Sequence, residues 1–383
     1  MNQKIIRIVC AGGGSGGHVY PMLAVIDELK KIFTTDEFVG SRATIYYLGT
    51  PGEYTSEFAH RSVVIKRVSS FKLRRYASAQ NILDSIKAPF ALLQALWHLF
   101  WLMPDVVFSK GGSGSLPVVF AAFFFHIPIF VHESDSIPGL SNRIAFPLAA
   151  RVGLSFEKTL TFVSGKKVAV VGNPVRAALI ENTSGLQSQR SKTVFGFDAQ
   201  SPLILILGGS QGSARINDFA IDNAGALVRV AQIFHQTGSS NFQNAKSELA
   251  VATKNFIPAE RNRYKIVDYL HDEIIEAMLA ADLIVSRAGS GAIFEIAAFG
   301  KASILIPLKE AAQNHQFYNA YEYTHTGACS VIEEENLKPN LFLQETKRIL
   351  ENQELKSSME DAARKFAKPQ AAFTIAREIA RLV

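Results

Sequence analysis

Four short blocks of the chain carry residue types that do chemistry. Gly12, Gly14 and Gly17 have the spacing of a phosphate-cradling loop, because glycine permits a tight turn and lets a phosphate approach a helix N-terminus. His18 follows at a helix start, where the dipole disfavours the imidazolium and keeps a neutral imidazole fit for a general base. The competing reading of His18 is a hydrogen-bonding spacer. His132, Glu133 and Asp135 in FVHESD stand just past an apolar run, where paired carboxylates orient an acceptor hydroxyl. A metal site is the weaker rival there, because one histidine and two carboxylates so close in sequence lack further clustered ligands. A second glycine loop, Gly208, Gly209, Ser210, Gln211, Gly212 and Ser213, offers amides and hydroxyls to an oxyanion such as diphosphate. SRAGSGAIFE then sets Gly289, Ser290 and Gly291 after a strand, with Glu295 about one turn into the next helix. That arrangement combines amides for phosphate with a carboxylate for ribose hydroxyls. The alternative is a solvated first-turn glutamate favoured by the dipole.

The elements that must position these blocks alternate between strand and helix. KIIRIV at 4–9 reads as a buried strand, 12–17 as a turn and 19–33 as a helix with apolar residues at helical spacing. Strands at 44–48, 106–108 and 127–131 and a helix near 90–101 continue the pattern, which implies a parallel sheet covered by helices on both faces. Around 182–192 the sequence turns polar, and LILIL at 203–207 followed by GGSQGS reopens the same unit. Further strands are expected at 231–235, 265–267, 283–286 and 302–306. The reading is α/β, two Rossmann-like domains in tandem, with both glycine loops at the carboxyl ends of the strands and facing a cleft. The expected boundaries are 1–175, joined by a C-terminal helix over 366–383, and 176–365.

Bulk properties exclude several classes. With 48% hydrophobic and 19% charged residues over 383 positions, the chain is globular and long enough for two cores. Cys10 and Cys329 are the only cysteines, which favours a reducing cytoplasm and gives no zinc spacing. The first residues lack the long apolar segment and cleavage site of a signal peptide, so export is not expected. The dinucleotide fingerprint also wants an acidic residue after the second strand, yet ATIYYLGT ends in Gly49 and Thr50, which disfavours a nicotinamide cofactor.

The net charge of +6 is uneven: residues 1–175 hold 18 Lys+Arg against 11 Asp+Glu, and the remainder is nearly balanced. The bias peaks over 61–87, with Arg74, Arg75 and Lys87 among seven basic residues against Asp84 alone. Directly after it runs APFALLQALWHLFWLM at 88–103, interrupted by Gln94 and His98 and shorter than the roughly 20 apolar residues a spanning helix needs. Basic residues beside Trp97, Phe100 and Trp101 suit an anionic lipid surface. The alternative is an ordinary core helix.

Taken together, GGGSGGHVYP at 12–21, HESDSIPGLSN at 132–142, GNPVR at 172–176, GGSQGS at 208–213, RAGSG...E at 287–295 and NHQFYNA at 314–320 resemble the MurG family of N-acetylglucosaminyltransferases. Six blocks in matching order cover nearly the whole chain. The resemblance implies an inverting GT-B enzyme that moves N-acetylglucosamine from UDP-GlcNAc to the MurNAc 4-hydroxyl of lipid I, giving lipid II for peptidoglycan and so for cell shape and division. It implies no metal and no cofactor. It places the donor on Arg176, Ser210, Gln211, Leu270, Ser290, Gly291, Ala292, Ile293, Phe294, Glu295 and Gln316, with Glu295 on the ribose. It places the acceptor diphosphate and the transferred sugar near Ser15, Gly16, Gly17, His18, Glu133 and Asn142, with His18 as the preferred base. Its implied partners are UDP-GlcNAc, lipid I, anionic inner-membrane lipids at the cytoplasmic face and other cell-wall synthesis proteins, with no nucleic acid.

Three positions depart from the family pattern: Asp135 stands where Asn is usual, Ser113 follows Gly111 and Gly112 where tyrosine is usual, and Ala292 replaces a hydroxyl. The added carboxylate of Asp135 either serves as an alternative base or disfavours an anionic acceptor. Three rival functions remain in view: a UDP-GlcNAc 2-epimerase of similar double fold, a transferase with another lipid-linked acceptor, and a catalytically silent partner in a cell-wall complex.

Overall fold

A computed structural model describes the chain except for residues 1–3, 36–40, 70–78, 166, 177–187, 210–211 and 310. The chain divides into two compact units, Met1–Arg176 with Lys368–Val383, and Ala177–Ala367.

Among the described residues, the first unit carries seven strands: β1 Lys4–Ala11, β2 Ser41–Leu48, β3 Val64–Lys66, β4 Val106–Ser109, β5 Ile129–Glu133, β6 Arg151–Leu154 and β7 Val168–Val170. They form one parallel sheet in the order β3-β2-β1-β4-β5-β6-β7. Helices on both faces cover the middle of the sheet, so central strands such as β4 and β5 are buried at every residue rather than alternating. The second unit repeats the scheme with β8 Leu203–Leu207, β9 Gln232–Gln236, β10 Tyr264–Val267, β11 Leu283–Ser286, β12 Ser303–Leu305 and β13 Cys329–Val331. Its order is β10-β9-β8-β11-β12-β13, again parallel.

Strand order reverses beside β1 in the first sheet and beside β8 in the second, and a ligand crevice belongs at the carboxyl ends of such switch points. The two glycine loops leave β1 and β8 at those places. The strands expected from sequence are all present. The short β3, β6, β7 and β13, of three or four residues each, lie in the outer parts of the sheets and carry too little apolar pattern to stand out.

Two helices differ from expectation. The first runs Gly16–Ile32, so His18 lies within its opening turn. The helix read as 90–101 runs Ala79–Leu102 and contains Pro89. A proline removes only one backbone donor, and a long helix packed on a sheet tolerates that loss. On the opposite face of the first sheet, Val19, Met22, Leu23 and Ile26 of Gly16–Ile32 share a core with Ile375, Ala376 and Ile379 of the helix Ala371–Ala380.

Candidate active site

At the carboxyl edge of the first sheet, Gly13 N–H donates to Gly111 O at 3.0 Å, stitching the loop after β1 to the loop after β4. His18 hangs over this junction. Its Nδ1 lies 2.9 Å from Ser15 Oγ, and a Cβ on Gly13 would sit 3.1 Å from the same nitrogen. A Cβ on Gly112 would meet the Gly13 backbone at 3.0 Å and His18 Nε2 at 3.6 Å, and Gly112 has φ +83, so only glycine closes the loop here. Ser15 and Gly17 are exposed and Gly16 is buried at the start of the helix.

Behind His18 lies a cluster of buried polar groups from three segments. Glu133 ends β5, and its carboxylate accepts from Asp135 N at 2.9 Å, Gly139 N at 3.1 Å and Asn142 Nδ2 at 2.9 Å. Those bonds tie down the 134–139 loop, so Glu133 holds the loop from beneath. Asp135 is half-buried on that loop, and Thr159 Oγ1 donates to its carbonyl at 3.0 Å. Asn142 also donates to His132 O at 3.1 Å and lies so close to Gly111 that a Cβ there would come within 2.7 Å of its amide.

Lys110, the residue after β4, is buried under this cluster. Its Nζ donates to His132 Nδ1 at 2.7 Å, to Asn173 Oδ1 at 3.1 Å and to Ser134 Oγ. His132 Nε2–H donates to Gly172 O at 2.9 Å, which leaves Nδ1 as an acceptor, and Ser134 Oγ–H donates to Asn173 Oδ1 at 3.2 Å. Three acceptors therefore surround the amine, which is the pattern an ammonium requires. Burial opposes the charges: it lowers Lys110 to about 7 against the pull of Glu133 and Asp135, and raises Glu133 to about 7 with help from Asp135. Burial, and then Lys110, hold His132 well below its ordinary value, so it stays neutral. Nearby, the half-buried Arg176 guanidinium stands 5.3 Å from the Tyr20 ring centroid, and Tyr20 packs edge-on against Tyr54.

The second unit presents its own edge. Ser210 and Gln211 lie outside the described residues. Gly212 has φ +77 and a Cβ there would fall 2.2 Å from Thr237 O, so the loop closes only with glycine. Ser213 caps the helix Ala214–Asp222, accepting from Ile216 N. Arg287, the residue after β11, donates to Ser213 Oγ at 2.7 Å, to Ile306 O at 3.2 Å and to Glu334, which also pairs with Arg215. Gln236 joins Leu270, whose N donates to its Oε1 at 3.0 Å, to the carbonyl of Gly209.

Gly289 caps the helix Ser290–Ala298. Gly291, Ala292 and Glu295 of that helix are half-buried, while the side chains of Ile293 and Phe294 are sealed in the core. Gln316 Oε1 accepts from Leu308 N at 3.0 Å. Lys110 and Gln236 escape a sequence reading, and Asn173 and Arg287 stand there only as members of their motifs, because only folding brings their distant segments together.

The apolar stretch is not a core helix. Helix Ala79–Leu102 buries Ala91, Ala95 and Leu99 and turns Phe90, Leu93, Trp97 (63% exposed), Phe100 and Trp101 (66%) to solvent. The helix Leu116–Phe124 adds exposed Phe120, Phe123 and Phe124 (67%), and Phe100 packs on Phe125 beside them. Lys87 is exposed at the same helix, whereas Arg74 and Arg75 lie outside the described residues. Among the described residues, no helix is long and apolar enough to cross a membrane.

Residues 8–154 match the glycosyltransferase family 28 N-terminal domain and 203–375 its C-terminal domain, so the two glycine-loop units are those of a family 28 glycosyltransferase with the GT-B fold. The chain is 34% identical to the UDP-N-acetylglucosamine--N-acetylmuramyl-(pentapeptide) pyrophosphoryl-undecaprenol N-acetylglucosamine transferase of Clostridium kluyveri, over 90% of this chain and 91% of that one, and 33% identical over the same shares to a Clostridium botulinum enzyme of the same name. It belongs to that family, the MurG family. A crystal structure of Acinetobacter baumannii MurG shares the fold with TM-score 0.74 at 24% identity, over 98% of this chain and 99% of that one. A UDP-GlcNAc 2-epimerase from Neisseria meningitidis shares it with TM-score 0.68 at 14% identity, covering 98% of this chain and all of its own, which is likeness of fold alone.

Proposed function

We propose that the chain transfers N-acetylglucosamine from UDP-GlcNAc to the MurNAc 4-hydroxyl of lipid I with inversion, giving lipid II. The observation that supports the chemistry most directly is His18, held over Gly13 and against Gly112 with Nδ1 on Ser15. When Nδ1–H donates to Ser15 Oγ, Nε2 carries the lone pair that takes the proton from the attacking hydroxyl. The hydroxyl oxygen then displaces UDP at the anomeric carbon. Glu133 works by holding the 134–139 loop, and the half-buried Asp135 is the rival base.

On the second unit, amides of the 208–213 loop and of helix Ser290–Ala298 receive the donor diphosphate, Glu295 the ribose hydroxyls and Gln316 the sugar. Helix N-termini and Arg176 stabilise the departing diphosphate, a role that needs fixed positive potential rather than proton transfer. The aromatic face of Ala79–Leu102 and Leu116–Phe124, edged by Lys87, seats the enzyme on the cytoplasmic face of the inner membrane, where lipid I resides.

The test is transfer of radiolabelled N-acetylglucosamine to a short-chain lipid I analogue in EDTA, by wild type, His18→Ala and Asp135→Asn. Labelled disaccharide that disappears with His18→Ala supports the reading; loss only with Asp135→Asn moves the base there. Folded wild type that binds UDP-GlcNAc but makes no product would leave the donor and remove the acceptor. Free UDP released without any acceptor would favour an epimerase instead.

A further inference from the structure

Lys110 has no part in the chemistry above, yet it is buried at the switch point of the first sheet. Its amine bonds to groups on two other segments: His132 and Ser134 at the end of β5, and Asn173 after β7. The loop it supports through Ser134 is the one that Glu133 anchors through Asp135 N and Gly139 N. Two carboxylates, Glu133 and Asp135, thus stand on the edge assigned to an acceptor whose diphosphate is itself an anion. Like charges brought together in a partly buried site, where the effective dielectric is well below that of water, repel strongly unless a cation offsets them. Lys110 is buried beneath the same loop, bonded to it through Ser134, and both carboxylates favour its charged form.

We infer that Lys110 is a positioning residue for the acceptor: its ammonium, held by His132, Ser134 and Asn173, offsets Glu133 and Asp135 so that the 134–139 loop can face an anionic diphosphate. The inference rests on the lipid I reading and extends it to the charge that makes an aspartate at position 135 compatible with that acceptor.

The test compares wild type, Asp135→Asn, Lys110→Met and the double variant in steady-state transfer to the short-chain lipid I analogue. Lys110→Met should raise the acceptor KM at least tenfold while the UDP-GlcNAc KM stays within twofold. In the Asp135→Asn background the same change should raise the acceptor KM no more than about threefold. A purely structural lysine would show the same loss in both backgrounds, spread over kcat and both KM values, and that result overturns the inference. Should Lys110→Met alone fail to fold, recovery of folded protein on adding Asp135→Asn supports the charge offset, and failure of the double variant as well overturns it. Wild type that makes no product would instead remove the acceptor reading itself.

Discussion

The two glycine-loop edges are built on one plan and differ in the cation at its centre. In each sheet the strand next to the switch point is followed at once by a buried basic residue, Lys110 after β4 and Arg287 after β11. Each of these residues binds across neighbouring segments. Arg287 meets a carboxylate directly in Glu334, and a guanidinium does not lose its proton in a protein. The second edge is therefore a fixed electrostatic platform, suited to a donor diphosphate that is always charged. Lys110 meets neutral acceptors, and burial opposes both its charge and that of Glu133. The first edge can therefore change protonation near neutral pH, and it is the one that carries the candidate base.

If that division is right, the largest effect belongs to the first edge. His18→Ala should lower kcat by about 10²- to 10⁴-fold, the usual worth of a general base, with the UDP-GlcNAc KM little changed. A rise in donor KM at constant kcat would put His18 on the wrong side of the comparison. On the second edge, Arg287→Met frees Ser213 and leaves Glu334 with Arg215 alone. Breaking such a buried pair costs about 3–5 kcal/mol, read as a lower melting temperature, and UDP binding should weaken more than uridine binding. Equal weakening of both ligands would mean that the arginine does not serve the phosphate loop.

Glu295→Ala should cost about 1–2 kcal/mol of donor binding through the lost ribose hydrogen bonds, measured as UDP affinity, with the acceptor KM unaffected. A smaller effect separates the edges by pH. Glu133 is raised to about 7 from 4.5, so the folded state binds the extra proton, and stability present below pH 4.5 is lost as pH rises toward 7. Lys110 is lowered from 10.5 to about 7, so its contribution is present above pH 10.5 and lost as pH falls toward 7. Melting temperature should therefore dip near neutrality. Glu133→Gln should flatten the acid side of that dip, and an unchanged curve would assign the titration elsewhere. Smallest of all, Trp97→Ala should weaken binding to anionic vesicles only a fewfold, because one indole among many exposed rings carries part of the area.

Much of this was legible before folding. The glycine loops, the strands they leave and the tandem repeat of the unit all follow from local pattern, because each needs only neighbours in sequence. His18 was visible for the same reason. Lys110 was not, since its partners sit 22, 24 and 63 residues away and a lysine after a strand looks like a solvated end. Arg287 belongs to a visible motif, yet its reach to Ser213, 74 residues away, is not written in that motif. The run FAAFF at the end of helix Leu116–Phe124 resembles core, yet Phe120, Phe123 and Phe124 are exposed beside Ala79–Leu102. For Ala79–Leu102 itself, small buried alanines and large exposed aromatics reverse the usual rule, so composition alone could not tell a core helix from a surface one.

The helix Ala371–Ala380 carries a consequence for biosynthesis. Its Ile375, Ala376 and Ile379 complete the core that Val19, Met22, Leu23 and Ile26 begin, although about 190 residues of the other unit are made in between. During translation the second unit has all of its own chain before the first unit has its last helix. The early segment must wait with an open apolar groove while the later one folds, reversing the usual N-terminal-first order. Nascent chains ending at residue 370 and extended by a linker that clears the ribosome should therefore hold a protease-resistant second unit behind a protease-sensitive first one.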